Sequence, residues 1–103
     1  MGYHITHVLG NMESSPGEQA FGPLFDELRE ADDEHPDVFV RHETGWSLGI
    51  SRTGRAYLEN VEDDSVPPRH LDSVDRDHFV ALAAAVAKGD VAAIESEDWR
   101  PGY

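Results

Sequence analysis

DVFVRHETGWSLGISRTGRAYLENV, residues 37–61, is the stretch on which the fold turns. Three extended runs are separated by Glu43-Thr44-Gly45 and Arg52-Thr53-Gly54, and both separators end in Gly. A three-residue hairpin loop needs a left-handed residue at its last position, which Gly adopts without a Cβ penalty. That register pairs His42 with Trp46, Val40 with Leu48 and Val38 with Ile50, then Ile50 with Ala56 and Leu48 with Leu58. A two-residue loop in the first hairpin would instead set Leu48 beside Arg41 and mix the faces. Side chains alternate along a strand, so Val38, Val40, Trp46, Leu48, Ile50, Ala56 and Leu58 form one apolar face that helices must cover. The opposite face carries Phe39, Arg41, Ser47, Gly49, Ser51, Arg55, Tyr57 and Glu59.

Upstream, residues 3–9 mix β-branched and aromatic side chains and stop at Gly10-Asn11, which predicts a first strand. Ser15-Pro16-Gly17-Glu18 has the form of a capping box, but Gly22-Pro23 interrupts the run after it. The helix is therefore expected over residues 23–32, with Leu24, Phe25, Leu28 and Ala31 as its buried stripe and Pro36 beyond its end. Downstream, Glu62-Asp63-Asp64 through Pro67-Pro68 reads as a polar connection. Asp75 can cap a second helix, with Val74 and Phe79 as a hydrophobic staple and Phe79, Leu82, Ala83 and Val86 on one side before Lys88-Gly89. Asp90 can cap a further short turn through Ile94, and residues 95–103 form an aromatic tail containing Trp99 and Tyr103. The expectation is a single α+β domain over residues 1–103, in the order β-α-β-β-β-α-α. Its centre is a three-stranded antiparallel meander (residues 37–61) joined by the N-terminal strand, with helices packed on one face.

Eight Lys and Arg stand against 21 Asp and Glu, a net charge of −13 in 103 residues. Such a field argues against nucleic acid and makes a basic protein the natural partner. The apolar residues nevertheless fall in periodic blocks, which favours a folded domain. Without cysteine there is no disulfide framework, thiolate metal site or cysteine nucleophile. The first residues carry neither a basic region nor an apolar one, and no apolar run approaches the roughly 20 residues of a membrane span. The reading is a cytoplasmic chain with no membrane partner.

No metal site is expected. His4 and His7 are three apart on a strand and point to opposite faces, and the bland reading of the six histidines is surface histidine. No catalytic residues are assigned, because acidic pairs arise by chance at this abundance and no nucleophile elbow, phosphate loop or zinc-protease motif is present. No cofactor is implied. The expected partner-binding residues are Phe39, Arg41, Tyr57 and Glu59 on the outer sheet face, with Glu62, Asp63 and Asp64 steering approach. Two aromatics over Gly49, rimmed by Arg and Glu, have the composition of an interface centre. The competing readings are a solvated ion pair worth about 0.2–1 kcal/mol, aromatic cover for a strand glycine, or burial under Trp99 and Tyr103. The acids are spread over the chain, from Asp26, Glu27 and Glu30 to Glu95, Glu97 and Asp98, which favours solubility or salt adaptation over a mimic of nucleic acid.

The segment W-x-L-x-I-S-x-x-G-x-x-x-L-E-N (residues 46–60), with the acidic balance and the α+β order, resembles small bacterial immunity proteins that neutralise polymorphic toxins. The resemblance implies a cytoplasmic, non-enzymatic binder that occludes a toxin's active site through an acidic surface. The alternative is a small enzyme or ligand-binding protein with a pocket between helices and sheet. Oligomeric state is not readable from the sequence.

Overall fold

Gly45 and Gly54 stand at φ 100° and 87°, and the backbone turns on them as the hairpin chemistry requires. Gly45 N–H donates to His42 O at 2.9 Å and Gly54 N–H to Ser51 O at 3.0 Å. The structure, a computed structural model, describes residues 2–34 and 37–102. Among these residues seven strands form one antiparallel sheet. They are β1 (Tyr3–Thr6), β2 (Met12–Ser14), β3 (Asp37–His42), β4 (Trp46–Ser51), β5 (Ala56–Asn60), β6 (Arg69–Leu71) and β7 (Arg100–Pro101), in the spatial order β2-β1-β3-β4-β5-β6-β7. The central register is the expected one: Val38 opposes Ile50, Val40 opposes Leu48, Leu48 opposes Leu58 and Ile50 opposes Ala56.

Helices α1 (Phe21–Asp26), α2 (Arg76–Lys88) and α3 (Val91–Glu95) complete an α+β fold. Helix α2 packs against β3 and β4, and α1 packs against α2. Ile5, Val38, Val40, Leu48, Ile50 and Leu58 from the sheet are buried with Phe21, Leu24, Phe79, Leu82, Ala83 and Val86 from the helices. Burial of these side chains is the main force holding the layers together. Asp75 caps α2 by accepting the His78 N–H at 2.8 Å, Val74 and Phe79 are both buried, and Gly89 ends the helix in the left-handed region. Asp90 caps α3 by accepting from Ala93 N–H at 3.2 Å.

The order of elements differs from the expected β-α-β-β-β-α-α by three short strands, β2 and β7 at the two edges of the sheet and β6 between β5 and β7. Every residue of β2 is exposed, so Met12-Glu13-Ser14 shows no alternation that could announce it. Strand β6 comes directly after the polar connection, and β7 is a two-residue pair that recruits the aromatic tail onto β6. Apart from Leu71 of β6, which is buried in the core, backbone pairing makes these strands, and backbone pairing leaves little trace in side-chain pattern.

The first helical segment also differs. It begins at Glu18–Ala20 as a 3-10 turn, passes through α1, and closes as a second 3-10 turn, Glu27–Glu30. Leu24, Leu28 and Ala31 are buried as expected and Phe25 is half-buried, but Phe21 is fully buried as well and Gly22-Pro23 does not interrupt the helix. Pro23 falls in the first turn of α1, where a missing N–H is tolerated. A Cβ on Gly22 would lie within 2.9 Å of the Arg76 Cζ, so the glycine makes room for the guanidinium that bridges to Asp26. The capping box is not made: Ser15, at φ 44°, donates through its N–H and its hydroxyl to Tyr3 O and so belongs to the β1–β2 hairpin. Pro36, expected beyond the helix end, lies outside the described residues. No described helix is long and apolar enough to cross a membrane.

Candidate protein-binding face

The register that fills the core also writes the opposite face. Asp37 opposes Ser51, Phe39 opposes Gly49 and Arg41 opposes Ser47 across β3 and β4. Gly49 opposes Tyr57 and Ser47 opposes Glu59 across β4 and β5. Ser51 N–H donates to Arg55 O at 3.1 Å, which continues the first row. Alternation puts all nine side-chain positions on the face away from the helices. The face is therefore a three-by-three grid, with rows Asp37–Ser51–Arg55, Phe39–Gly49–Tyr57 and Arg41–Ser47–Glu59. Flanking strands extend it: His4 opposes Arg41, Thr6 opposes Phe39 and His70 opposes Tyr57.

Glycine at the centre has a steric reason. A Cβ on Gly49 would sit 2.6 Å from Cε1 of Phe39, so the phenyl ring leans over the glycine. The Arg41 guanidinium carbon lies 5.5 Å from the centroid of that ring, and Arg41 Nε–H donates to Ser47 Oγ at 3.0 Å. Ser47 is only 1 % exposed although it faces away from the helices, because its neighbours close over it. Asp37, Phe39, Tyr57 and Glu59 line a recess of about 340 Å³. Burial raises the Asp37 carboxyl above its usual range. Arg55 Nε–H donates to Asp72 Oδ1 at 3.0 Å on the far side of the grid.

Of the expected site residues, Phe39, Arg41, Tyr57 and Glu59 share this one face. Glu62 sits at its end, lining a separate recess of about 440 Å³ that also includes Arg41. Asp63 and Asp64 are exposed in the turn after β5. Asp63 Oδ1 accepts from Ser65 Oγ at 2.6 Å and Ser65 N–H at 3.0 Å, and these bonds hold its carboxyl below the usual range. Sequence reasoning misses Asp37, although the alternation that selects Phe39 and Arg41 selects it too.

The described part of the tail pairs with β6, where Arg100 opposes His70 and Gly102 O lies 2.9 Å from His70 Nδ1, so it extends the Phe39–Gly49–Tyr57 row at its margin and does not line the recess. Trp99 Nε1–H donates to Ile94 O at 2.7 Å, and Trp99 lines a recess with Pro67, Pro68 and Pro101 beyond β6. Tyr103, the other residue expected to cover the face, lies outside the described residues.

Two histidines depart from the surface reading. His42 is 4 % exposed. Its Nδ1 accepts from the Thr44 hydroxyl at 2.7 Å and from Thr44 N–H at 3.2 Å, and its ring abuts Gly89. His42 falls on the inner face of β3, so the alternation that buries Val38 and Val40 buries it as well. His7, just past β1, is clamped between Glu27 Oε2 at 2.6 Å and Glu13 Oε1 at 2.9 Å. Burial disfavours its charged ring, but the bonds and charges of Glu27 and Glu13 outweigh that and raise its pKa above the ordinary value. Among the described residues no group of three or more His, Asp and Glu side chains could hold a metal ion.

Comparison with protein-family models, with curated proteins and with solved structures finds no match to this chain.

Proposed function

We propose that the chain is a non-catalytic protein-binding module, of the kind an immunity-type inhibitor represents, and that the outer sheet face meets a basic protein. The recess between Phe39 and Tyr57 carries this reading, because two rings and the carboxylates of Asp37 and Glu59 surround one space. A lysine or arginine side chain entering it would meet ring faces along its stem and charge at its head. The net charge of −13 would speed the encounter without fixing the pose.

The test is an amide-resolved NMR titration of the full chain with an arginine-rich peptide, repeated with a lysine-free, arginine-free peptide of equal length. The reading expects shifts centred on Phe39, Ser47 and Tyr57 with the first peptide only, and a several-fold faster dissociation in Tyr57→Ala. Replacing Glu62, Asp63 and Asp64 by neutral residues should slow association and leave dissociation near the parent value. Shifts scattered over the acidic surface, with Tyr57→Ala behaving like the parent, would sink the reading.

A second reading, a small ligand-binding protein, is favoured by one other place. Arg29, Arg52 and Arg76 surround a recess of about 390 Å³ with Phe25 and Leu28 in its wall. Three of the eight basic residues converge there, which suits an anion with an apolar body. Arg76 is already bonded to Asp26 at 3.0 Å and Arg52 to Ala31 O at 3.0 Å, so the outer-face reading is preferred.

A further inference from the structure

The two edges of the sheet are finished differently. At one, β7 is two residues long, Pro101 has no N–H, and the Gly102 N–H donates back to Pro68 O at 2.9 Å. At the other, every residue of β2 is exposed, and among the described residues β2 pairs with β1 alone. Ser15 N–H donates to Tyr3 O at 2.9 Å and His7 N–H to Asn11 O at 2.8 Å, so Asn11, Glu13 and Ser15 are the residues that exchange hydrogen bonds with β1. Met12 and Ser14 therefore turn both N–H and C=O away from β1, toward the open edge. Their side chains fall on the outer face, since Glu13 between them opposes the buried Ile5. Met12 is 69 % exposed, and Leu9, in the turn that leads into β2, is 70 % exposed. The helix side of the same edge is acidic. Glu13 and Glu27 share one histidine, His7, at 2.9 and 2.6 Å, so a negative charge is left over even when the ring is protonated. Glu30 joins Glu27 in the wall of a recess of about 410 Å³ beside Leu9, which no Lys or Arg among the described residues lines.

From this geometry we infer that β2 is a docking edge for an extended segment of a basic protein, which adds to the sheet as a further strand antiparallel to β2. Met12 and Ser14 each exchange N–H···O bonds with one residue of the incoming strand, and the side chains of those two residues lie on the outer face beside Met12. The residue between them points to the helix side, toward the surplus charge of Glu13, Glu27 and Glu30. The matching segment therefore alternates apolar and basic residues. A second copy of the chain fits this edge poorly. The register that pairs Met12 of each copy with Ser14 of the other sets Glu13 directly against Glu13, and like charges directly opposite are destabilising. Sliding the copies either way brings Pro16, which has no N–H, or Gly10 of the turn into the ladder. Backbone groups of β2 carry this inference, and neither Tyr57 nor Glu59 takes part. It goes beyond the reading of the outer face and shares with it only the basic character of the partner.

An amide-resolved NMR titration of the full chain with a short peptide of alternating valine and arginine tests this. The peptide is made in two forms of equal charge, N-methylated on every arginine or on every valine. In the docked strand the valine N–H groups face β2 and the arginine N–H groups face solvent, so the arginine-methylated form binds and the valine-methylated form does not. Binding shifts the Met12 and Ser14 amides and slows their hydrogen exchange. Ser14→Pro deletes an outward N–H without touching a bond to β1, and it weakens the arginine-methylated peptide about 10-fold or more. Met12→Lys, on an exposed side chain, weakens it as well. Comparison of the two peptides uses the parent chain alone, so a variant that fails to fold does not decide the outcome. Equal affinity for the two forms, or no shift at β2 up to about 1 mM of the arginine-methylated form, overturns the strand addition. Shifts confined to Phe39, Ser47 and Tyr57 remove the edge and leave the outer-face reading standing. Shifts at β2 with Tyr57→Ala matching the parent keep the edge and remove the outer face.

Discussion

The meander β3–β5 and the segment from Ser15 to Ala31 are about equally apolar, yet they are specified in different ways. In the meander, alternation, turn chemistry and register agree, so each residue's face is set by its neighbours. In the Ser15–Ala31 segment the local signals conflict. Ser15 is taken by a strand partner, Gly17 stands at φ 98°, and a 3-10 turn, an α-helix and another 3-10 turn succeed one another. What holds that segment is tertiary: Phe21 and Leu24 are fully buried against the sheet and α2, and Glu27 accepts from Val8 N–H at 3.0 Å and from His7. A strand pattern can be read along the chain, whereas a packed irregular segment is defined by what it touches.

The largest expected effect lies in the meander. Leu48 is fully buried at the middle of the central strand, opposed by Val40 on one side and Leu58 on the other. Leu48→Ala should lower the unfolding free energy by about 2–5 kcal/mol, measured by chemical denaturation. Phe25→Ala, on a half-buried ring of the irregular segment, should cost less. Equal losses would mean that the two regions form one equally tight core and would break the contrast.

A smaller effect separates the two turns within the meander. Both Gly45 and Gly54 occupy the left-handed region, where Ala costs roughly 1–2 kcal/mol. At Gly45 a Cβ would also press on the Glu62 side chain at 2.7 Å, whereas at Gly54 the nearest atoms stand 3.6 Å away. Gly45→Ala should therefore be the more destabilising of the two by equilibrium denaturation. The reverse order would show that the turn backbone relaxes and that the positive φ is not what fixes the register.

These contrasts explain how much of the molecule is legible in its sequence. The register, the inner and outer faces, the Asp75 and Asp90 caps and the left-handed Gly89 each depend on residues within a few positions of one another. The short strands β2, β6 and β7 depend on backbone groups meeting across the sheet, and Ser14 opposite His4 has no local signature. On the candidate site, Phe39, Arg41, Tyr57 and Glu59 are readable because one face determines the other. The recess is not, since it depends on how the Phe39 ring leans over Gly49, which is a packing outcome.

The smallest expected effect tests whether the irregular segment is fastened by charge. His7 joins the β1–β2 hairpin, through Glu13, to the Glu27–Glu30 turn beyond α1. A protonated ring donates to both carboxylates, whereas a neutral ring has one N–H and leaves the other nitrogen facing an acceptor. Because the folded-state pKa is raised, the stabilisation is fully present below the unfolded value near 6.5 and is lost as pH rises through the folded value. The quantity to measure is the difference in unfolding free energy between the parent and His7→Gln, which cancels the titration of the other acids. That difference should be largest in mildly acidic solution and shrink toward alkaline pH, with hydrogen exchange of the Val8 amide accelerating in parallel. A difference that does not change with pH would show that the clamp acts through neutral hydrogen bonds alone. Packing of Phe21 and Leu24 would then be left as what holds the segment to the sheet.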